Sequence, residues 1–285
     1  MASTIDIRRR IRSVKNTQQI TRAMKMVAAA KLRRAQERIF AARPYAAALR
    51  EVLASVATRV DVSQHPLLTA HEREQNVLVV VVTADKGLAG AFNANAIKAA
   101  MNLIRERQWP NVHLLPLGRK ANDFFKRRTI PLRKQAAHVM QALSLDTARE
   151  IATSIITDFV NADIDAVYLV FNEFRSIISQ IVRVERLLPM ERAWDEQATA
   201  VEYLYEPAPE LILNELLPKF IEFQLYRVLL ESAAAEQGAR MTAMEAATKN
   251  ASDMIDHLTL TYNRIRQASI TREIIEIVSG AAAQG

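Results

Sequence analysis

The chain contains no cysteine, very little glycine and few aromatic residues. Of its 285 residues, 6 are glycine, 6% are aromatic and none is cysteine. The missing thiols exclude a disulfide framework, a cysteine-ligated metal centre and thiol catalysis. Scarce glycine argues against an all-β chain with many glycine turns, and it favours long helices.

Long uninterrupted apolar segments are missing as well. No stretch approaches the ~18 apolar residues that a membrane-spanning helix requires. The first residues, MASTIDIRRRIRS, lack the apolar region of a secretory signal. We therefore expect a soluble protein that is cytoplasmic or exposed to the cytoplasmic side.

The net charge of +7 is concentrated in the N-terminal segment. Residues 1–60 balance at +11, with 14 Lys and Arg against 3 acidic residues, whereas residues 61–200 balance at +1 and residues 201–285 at −5. Such a basic arm could bind nucleic acid, an anionic membrane or an acidic protein. No aromatic residue precedes Phe40, which argues against a single-strand binder because those proteins stack bases on aromatic rings.

Apolar residues recur at heptad-like spacing at both ends of the chain. Steps of four and three residues from Ile7 to Val60 meet 13 apolar residues in 16 positions, and from Leu216 to Ser269 they meet 12 in 16. This record predicts two long helices that pack against each other. Polar seam positions such as Thr21 favour a surface that meets a changing partner.

The boundaries of the two helices follow from their end signals. We expect the first to begin beside the capping box at Ser3 and to bend at Pro44. The second is expected to begin near Pro209 or to re-form after Pro218, and to end at Gly280.

The predicted helices are longer than the rest of the chain can cover. A helix of about 55 residues is roughly 80 Å long and one of about 65 residues roughly 100 Å, whereas a compact chain of this size is only about 50 Å across. We therefore expect antiparallel pairing in which the C-terminal helix protrudes alone. The C-terminal end of this helix is too apolar to be stable in water, so we expect it to bind in a socket on another protein. The apolar residues there are Ile270, Ile274, Ile275, Ile277 and Val278.

Between the helices the sequence changes period and predicts an α/β layer domain with a mainly parallel sheet. We assign the long helix pair to residues 1–60 and 209–285, a linker to 61–75 and the α/β domain to 76–205. The predicted strands are 76–85, 112–118, 165–174 and 179–189, and the predicted helices are 94–107, 121–127 and 145–160.

The segment DKGLAG at 85–90 follows a strand, where phosphate-binding loops occur in α/β folds. A Walker loop requires Gly-Lys-Ser/Thr and a dinucleotide fingerprint requires three glycines, and neither is present. A tight strand-to-helix turn is the favoured interpretation, with nucleotide binding as the alternative. The histidines lack metal-ligand spacing, and no catalytic, cofactor or metal site is predicted; they are His65, His71, His113, His138 and His257.

Three segments together resemble one family closely. They are IRRRIRSVKNTQQITRAMKMVAAAKLRRAQ near the N-terminus, TADKGLAGAFN after the first strand and RQASITREIIEIVSGAAA at the C-terminus. They resemble the gamma subunits of the F-type, proton-translocating ATP synthase of bacterial type, and the similarity spans essentially the whole chain. The pattern Ile270-Thr271-x-Glu273-x-x-Glu276-x-x-x-Gly280-Ala281 is the most specific part of it.

The resemblance implies an α/β fold class: a long antiparallel coiled coil of the terminal helices plus a central Rossmann-like α/β domain. It also implies a central-stalk rotor subunit, non-catalytic by itself, that couples proton flow to ATP synthesis or hydrolysis by transmitting rotation. The implied partners are three alpha and three beta subunits, the epsilon subunit and the ring of c subunits. The implied location is the cytoplasmic face of the bacterial plasma (inner) membrane, where the chain is held peripherally through the c-ring. The resemblance implies no cofactor and no nucleic-acid partner.

Individual contact residues are also implied by the resemblance. The positions matching contacts with the alpha/beta ring are Met24, Lys25, Arg240, Arg266, Gln267, Thr271 and Glu273. The positions matching the foot that faces the c-ring are Tyr203, Tyr205 and Glu206. From charge alone, we expect the basic N-terminal helix to meet acidic loops of the beta subunits.

Two other functions stay open from the residues alone. The basic arm could serve a coiled-coil binder of duplex nucleic acid or of a membrane surface. The turn at 85–90 could serve a small-molecule enzyme. Because the chain has no cysteine, the thiol control of chloroplast relatives is excluded, and the absence of a transit peptide favours a bacterial protein.

Overall fold

The computed structural model describes residues 4–57, 65–69, 74–133, 139–140, 143–190 and 208–282. The helices and strands follow one another in the order expected from the sequence. They are α1 (Thr4–Ala57), β1 (Asn76–Val82), α2 (Phe92–Arg107), β2 (Asn111–Leu117), α3 (Arg119–Phe125), α4 (Leu145–Val160), β3 (Ala166–Phe174), β4 (Gln180–Leu188) and α5 (Pro209–Ala282).

The chain divides into two compact units. The helix-pair unit consists of Met1–Ala28 and Met241–Gly285, and the sheet unit consists of Ala29–Arg240. Both long helices contribute residues to both units. None of the helices in the described part of the chain has the length and hydropathy that crossing a membrane would require.

The sheet unit is built on four strands in the order β2-β1-β3-β4. The first three are parallel, and β4 runs antiparallel to β3. Six of the seven residues of β1 are buried, as expected for a strand of a parallel sheet that is covered on both faces. The predicted α/β class with a mainly parallel sheet is therefore confirmed.

Helices cover both faces of this sheet. On one face, residues of β1 such as Val79 pack against α2 and α3 through Ala100 and Phe125. On the other face, Val80 and its neighbours pack against α4, the end of α1 and the start of α5. Successive side chains of β1 point to opposite faces of the sheet, so they pack into two separate hydrophobic cores.

Local signals set several element boundaries. The Ser144 side chain accepts a hydrogen bond from the backbone N–H of Thr147 at 3.1 Å and caps α4. α4 spans Leu145–Val160, as the sequence predicts. Pro209 is the first residue of α5, a position where the missing N–H of proline costs nothing.

The long helices differ from expectation in two details. α5 is one helix that begins at Pro209 and contains Pro218, so it does not re-form after that proline. It also continues to Ala282, and the expected end at Gly280 is wrong by two residues. α1 begins at Thr4, beside the predicted cap, and contains Pro44. Tertiary burial of the apolar stripe outweighs the hydrogen bond that each proline removes.

The turn between β2 and α3 requires glycine at position 118. Gly118 has φ +98°, and an added Cβ would lie 2.1 Å from the carbonyl oxygen of Thr83. We expect Gly118→Ala to lower the free energy of unfolding by more than about 2 kcal/mol. An alanine there is strained by the positive φ, and the backbone must also shift to relieve the clash of its Cβ with Thr83. Urea unfolding followed by circular dichroism measures the loss.

Gly90→Ala is the matched control for that substitution. Gly90 also has a positive φ, +55°, but an added Cβ would meet no atom within 4 Å. Its cost should be only the conformational strain, about 1 kcal/mol. Equal losses for the two variants would contradict the close approach of Gly118 to Thr83.

Candidate functional site

The helix-pair unit is held by antiparallel contacts between α1 and α5. Three side-chain contacts join the helices in reverse numerical order. They are Arg8 Nη2 to Tyr262 Oη at 2.6 Å, Thr21 Oγ1 to Thr248 Oγ1 at 2.8 Å and Lys25 Nζ to Glu245 Oε1 at 2.6 Å. The antiparallel pairing predicted from the two seams is therefore confirmed within this unit.

The polar seam position Thr21 serves the helix pair itself. Its side chain is buried, with 8% exposure of the residue, and it hydrogen-bonds across the seam to Thr248. The interpretation of Thr21 as a surface for a changing partner is therefore wrong. A hydroxyl in an apolar seam needs a partner, and the second threonine supplies it.

Met24 and Lys25 remain partly accessible beside this seam. Met24 is half-buried. Lys25 pairs with Glu245, and their side chains are 36% and 61% exposed. An ion pair that is this exposed contributes little to stability, so both groups remain available to a partner.

The last part of α5 has no described stretch of α1 beside it. Arg8 already lies against Tyr262, and α1 begins only one turn earlier, at Thr4. α5 continues to Ala282, which leaves a free segment of roughly 25 Å. This segment, residues 266–282, is the overhang of α5.

The overhang presents an apolar surface to solvent. Apart from the half-buried Ser269, its residues from 266 to 279 are exposed. The large apolar side chains and their exposures are Ile270 44%, Ile274 55%, Ile275 58%, Ile277 71% and Val278 61%. Apolar side chains clustered in this way mark an interaction surface, and the predicted exposed apolar tip is confirmed.

The four predicted contact residues of the overhang are all exposed: Arg266, Gln267, Thr271 and Glu273. The side chains of Thr271 and Glu273 make local hydrogen bonds. The Thr271 hydroxyl donates to the Gln267 carbonyl at 2.9 Å, and the Ser269 hydroxyl donates to Glu273 at 3.2 Å. Both hydrogen bonds lie within α5, so the four side chains remain accessible to a partner protein.

The start of α1 presents a basic surface. Arg8 donates to the hydroxyl of Tyr262 and lowers the pKa of that phenol, with further help from the charges of Arg8 and Arg266. The remaining cations of this stretch point into solvent. They are Arg9, Arg10, Arg12, Lys15 and Arg22.

In the sheet unit, the 85–90 segment forms a tightly bonded turn. Asp85 is 4% exposed, and its Oδ1 accepts the backbone N–H of Arg119 at 3.0 Å. Arg119 Nε donates in return to the Asp85 carbonyl at 3.1 Å. Leu88 and Gly90 have positive φ values of 63° and 55°. The favoured interpretation of the segment as a tight turn is confirmed.

Arg240 connects this turn to α5 from inside the sheet unit. Its Nη2 donates to the carbonyl of Gly87 at 3.1 Å, and its Nη1 lies 2.6 Å from Glu236 Oε1. The side chains of Arg240 and Glu236 are only 11% and 9% exposed. Burial raises the pKa of Glu236, the charge of Asp85 raises it further, and Arg240 and Lys31 oppose the shift.

Gly238 lies between these two charged residues because the β3–β4 hairpin packs closely there. A Cβ at this position would lie 3.2 Å from Phe174 Cε2 and 3.4 Å from Gln180 Nε2. The sequence reasoning missed the buried Glu236–Arg240 pair. Its signal is the spacing of four residues around a glycine in AAAEQGARM, where alanine and glycine fill most of the other positions.

Some predicted residues lie outside the described residues. They are Tyr203, Tyr205 and Glu206 of the proposed foot, and also His71 and His138. Across the ranges that the structure does describe, there is no group of three or more His, Asp or Glu side chains placed to hold a metal ion.

Comparisons with known proteins agree over the full length of the chain. The ATP synthase family pattern matches residues 3–284. The ATP synthase gamma chain of Solibacter usitatus is 54% identical over 99% of both chains. The ATP synthase gamma chain of Chlorobaculum tepidum is 50% identical, also over 99% of both.

The chain belongs to the ATP synthase gamma chain family. Like the gamma chains it resembles, it is a central-stalk rotor subunit and a non-catalytic part of the ATP synthase complex. It associates with that complex, and its association with the membrane is peripheral.

Solved structures place the gamma-chain fold in the same context. The central stalk and c-ring structure of the Tetrahymena thermophila mitochondrial ATP synthase contains a chain 28% identical to this one. The match covers 80% of this chain and 99% of that chain, with a TM-score of 0.58. A chain of the Euglena gracilis mitochondrial ATP synthase matches with a TM-score of 0.70 over 99% of this chain and 94% of its own, and its 20% identity speaks for the fold alone.

We expect the buried Glu236 to make the stability of the chain depend on pH. Because its pKa is raised above 4.5, the folded state binds more protons than the unfolded state between 4.5 and the raised value. Stability from this group is therefore present below pH 4.5 and lost as pH rises through the folded pKa. In Glu236→Gln, which keeps an acceptor for Arg240, we expect this loss to disappear.

The measurement is the free energy of unfolding of both proteins at several pH values from 4 to 7. The difference, wild type minus Glu236→Gln, should fall as pH rises. Glu245→Gln is the control, since that side chain is 61% exposed and lies in the helix-pair unit. A difference that is flat or that grows with pH would contradict the role given to Glu236.

Proposed function

We propose that the overhang of α5 is seated within a ring of three alpha and three beta subunits and that the chain turns there as a shaft. The observation that carries this proposal is the run of five large apolar side chains, from Ile270 to Val278, each 44–71% exposed. Apolar surface of this kind is stable when another protein covers it. The proposed binding site for the overhang is therefore a cavity lined by protein, within the ring of alpha and beta subunits.

The contact residues follow from exposure and from the family resemblance. Arg266, Gln267, Thr271 and Glu273 are exposed on the overhang, which supports contact with the beta subunits. Met24 and Lys25, and Arg240 in the sheet unit, are proposed for the lower rim of the ring. For Arg240, the guanidinium is already engaged within the chain, so a partner would meet only its remaining exposed edge.

The basic surface of α1 is proposed to face acidic loops of the beta subunits. Residues 1–60 carry a balance of +11, and the cations at the start of α1 point into solvent. Opposite charges across such an interface guide assembly and set the register more than they add affinity.

The sheet unit is proposed to stand with the epsilon subunit on the c-ring. Tyr203, Tyr205 and Glu206 are the proposed foot, and residues 76–205 the α/β domain between the shaft segments 1–60 and 209–285, with 61–75 as linker. The Tetrahymena relative was solved as a central stalk with its c-ring, which supports this partner. The location that follows is the cytoplasmic face of the bacterial plasma (inner) membrane.

The proposed mechanism is mechanical. Proton flow turns the c-ring and the gamma chain with it, and the asymmetric shaft favours a different conformation in each beta subunit. Each orientation of the shaft shifts the population of states at the nucleotide sites. The chain transmits torque and takes no part in the bond chemistry.

The direct test of the assembly is co-purification with alpha and beta subunits. We expect one copy of this chain for each hexamer, measured by quantitative mass spectrometry of the purified complex. Equimolar recovery with alpha and beta, or no recovery with them, would overturn the proposed seat.

Truncation after Arg266 tests the overhang. None of the described side chains beyond that residue is buried, so the fold should be kept. In the assembled enzyme we expect ATP hydrolysis to continue while ATP-driven proton pumping falls several-fold relative to hydrolysis. Ile178→Ser is the control, because Ile178 is 86% exposed but belongs to the sheet unit. Unimpaired pumping in the truncated enzyme would count against the overhang.

The charge reversal Arg9→Glu with Arg12→Glu tests the basic surface. We expect slower assembly with the alpha/beta ring, and a weaker dependence of the assembly rate on salt, because attractive steering is lost. Lys98→Glu, an exposed cation of α2, is the matched control. The measurement is the assembly rate at several salt concentrations, and equal effects of the two reversals would argue against a dedicated basic face.

A further inference from the structure

The strand β4 forms one edge of the sheet, and its outer side is open. Among the described residues, β4 (Gln180–Leu188) pairs with β3 alone. At the opposite edge the chain covers the sheet itself, because Leu114 N–H of β2 donates to the Pro131 carbonyl at 3.0 Å and Arg133 N–H donates to the Leu114 carbonyl at 2.8 Å. The described residues give β4 no such cover.

The register of the β3–β4 hairpin shows which backbone groups face the open side. Arg175 N–H donates to the Ser179 carbonyl at 3.3 Å, so these two residues form a hydrogen-bonded pair. Hydrogen-bonded and non-hydrogen-bonded pairs alternate along an antiparallel ladder, so the next residue of β4 that is bonded to β3 is Ile181. The N–H and C=O groups of Val182 and Val184 are therefore directed away from β3, towards the place of a further strand.

Apolar side chains are exposed along this open side. Ile181 is 42% exposed and Val184 is 44% exposed. As an odd and an even residue of one strand, they lie on opposite faces of the sheet. Ile178, in the connection just before β4, is 86% exposed. An edge strand of this length with exposed apolar side chains is a template for pairing with another chain.

The charged side chains of β4 are engaged within the sheet unit. Proteins commonly protect an edge strand with free charged groups that keep another strand away. In β4 these groups are paired with oppositely charged side chains instead. The pairs are Arg183 with Glu173 at 2.7 Å, Glu185 with Arg227 at 2.6 Å and Arg186 with Glu74 at 2.9 Å.

A cavity of about 650 Å³ lies beside this edge, between α2 and the β3–β4 pair. Val184 lines it from β4, and Ala99 and Leu103 line it from α2. A strand added beside β4 would place every second side chain on the face that holds this cavity. Strand addition of this kind recurs in peptide recognition, where backbone bonds give affinity and pockets for alternate side chains give specificity. The charged lining residues are two acids and two arginines, with no net charge: Glu74, Glu106, Arg107 and Arg186.

We propose that the open edge of β4 receives an extended segment of another subunit of the ATP synthase complex, which adds a fifth strand to the sheet. The chain is a central-stalk subunit of that complex, so its lasting neighbours are other subunits. The backbone of the segment bonds to Val182 and Val184. An uncharged apolar side chain of the segment enters the cavity, because the lining carries no net charge and Val184 and Leu103 are apolar. The proposal rests on membership of the complex and not on the proposed seat of the overhang.

Hydrogen exchange at single-residue resolution tests the added strand. It is measured by mass spectrometry on the free full-length chain and on the purified ATP synthase complex. We expect the amides of Val182 and Val184 to exchange at least about tenfold more slowly in the complex, because the added strand bonds to them. Leu114 is the control, since its N–H is already bonded to Pro131 and its exchange should not change on assembly.

Three results would each overturn the proposal. The first is unchanged exchange of both valine amides on assembly. The second is slow exchange in the free chain at every concentration, which would show that the chain covers its own edge. The third is exchange that slows as the free chain is concentrated, which would show that a second copy is the occupant.

The same measurement reports on the amides of the overhang. Protection of the overhang without protection of β4 would remove this proposal and leave the proposed seat standing. Protection of β4 without protection of the overhang would remove the seat alone.

Val184→Pro tests whether the backbone makes the contact. Proline is tolerated in an edge strand where its missing N–H faces outwards, so thermal unfolding of the free chain should show a folded protein. In the complex we expect the protection of the Val182 amide to be lost. Val184→Ala is the matched control, because it shortens the side chain but keeps the N–H, and it should retain most of that protection.

Val184→Lys is a second variant that leaves every backbone group in place. It puts a charge on the open side, as protected edge strands do, and it should reduce the protection of Val182 about tenfold. Full protection in both Val184→Pro and Val184→Lys, or an equal loss in Val184→Ala, would overturn backbone pairing at this edge.

Discussion

The burial of one apolar stripe on α5 is the constraint on which the sheet unit depends. Leu213, Leu217, Ile221, Leu225 and Val228 are each no more than 1% exposed. They share a core with the last turns of α1, with α4 and with one face of the sheet. Burying each such side chain is worth about 1.5–3 kcal/mol, so neither long helix can rotate about its own axis without a large loss. For a subunit that carries torque, this packing prevents slip between the helices and the sheet.

The stripe changes character where α5 passes the 85–90 turn. Large side chains give way to Ala234, Ala235 and Ala239, which allow the turn and the hairpin to approach closely. In that narrow space the polar groups of the turn need partners, and Arg240 supplies a donor to Gly87. A buried ion pair adds little net stability. Arg240, paired with Glu236, nevertheless joins the turn to α5 through its hydrogen bond to Gly87.

The sequence predicts those features that depend on neighbouring residues. The continuous β-branched run of β1 indicates a buried strand, and the helix predicted at residues 145–160 is α4 of the structure. The heptad spacing indicates both long helices and their pairing. The function of Thr21 was misjudged because its partner, Thr248, is 227 residues away.

Other features of the sites also depend on distant residues. Glu74 accepts hydrogen bonds from Trp109 and Tyr168, which are 35 and 94 residues away along the chain, and no local spacing indicates these contacts. The end of α5 lay beyond Gly280 because glycine permits a helix to end without requiring it to do so. Local chemistry thus sets the elements, and the pairing of polar groups follows only from the packed fold.

The overhang of α5 is a helix that nothing within the described chain supports from the side. An isolated helix of this length is marginal in water, and its order derives from the continuous hydrogen-bond ladder below it. Fraying therefore starts at the C-terminal end and moves towards Arg266. Any partner that covers Ile274 and Ile277 also stops this fraying, and part of the binding free energy is spent on ordering the segment. Helix content in the final turns thus becomes a measure of whether the shaft is seated.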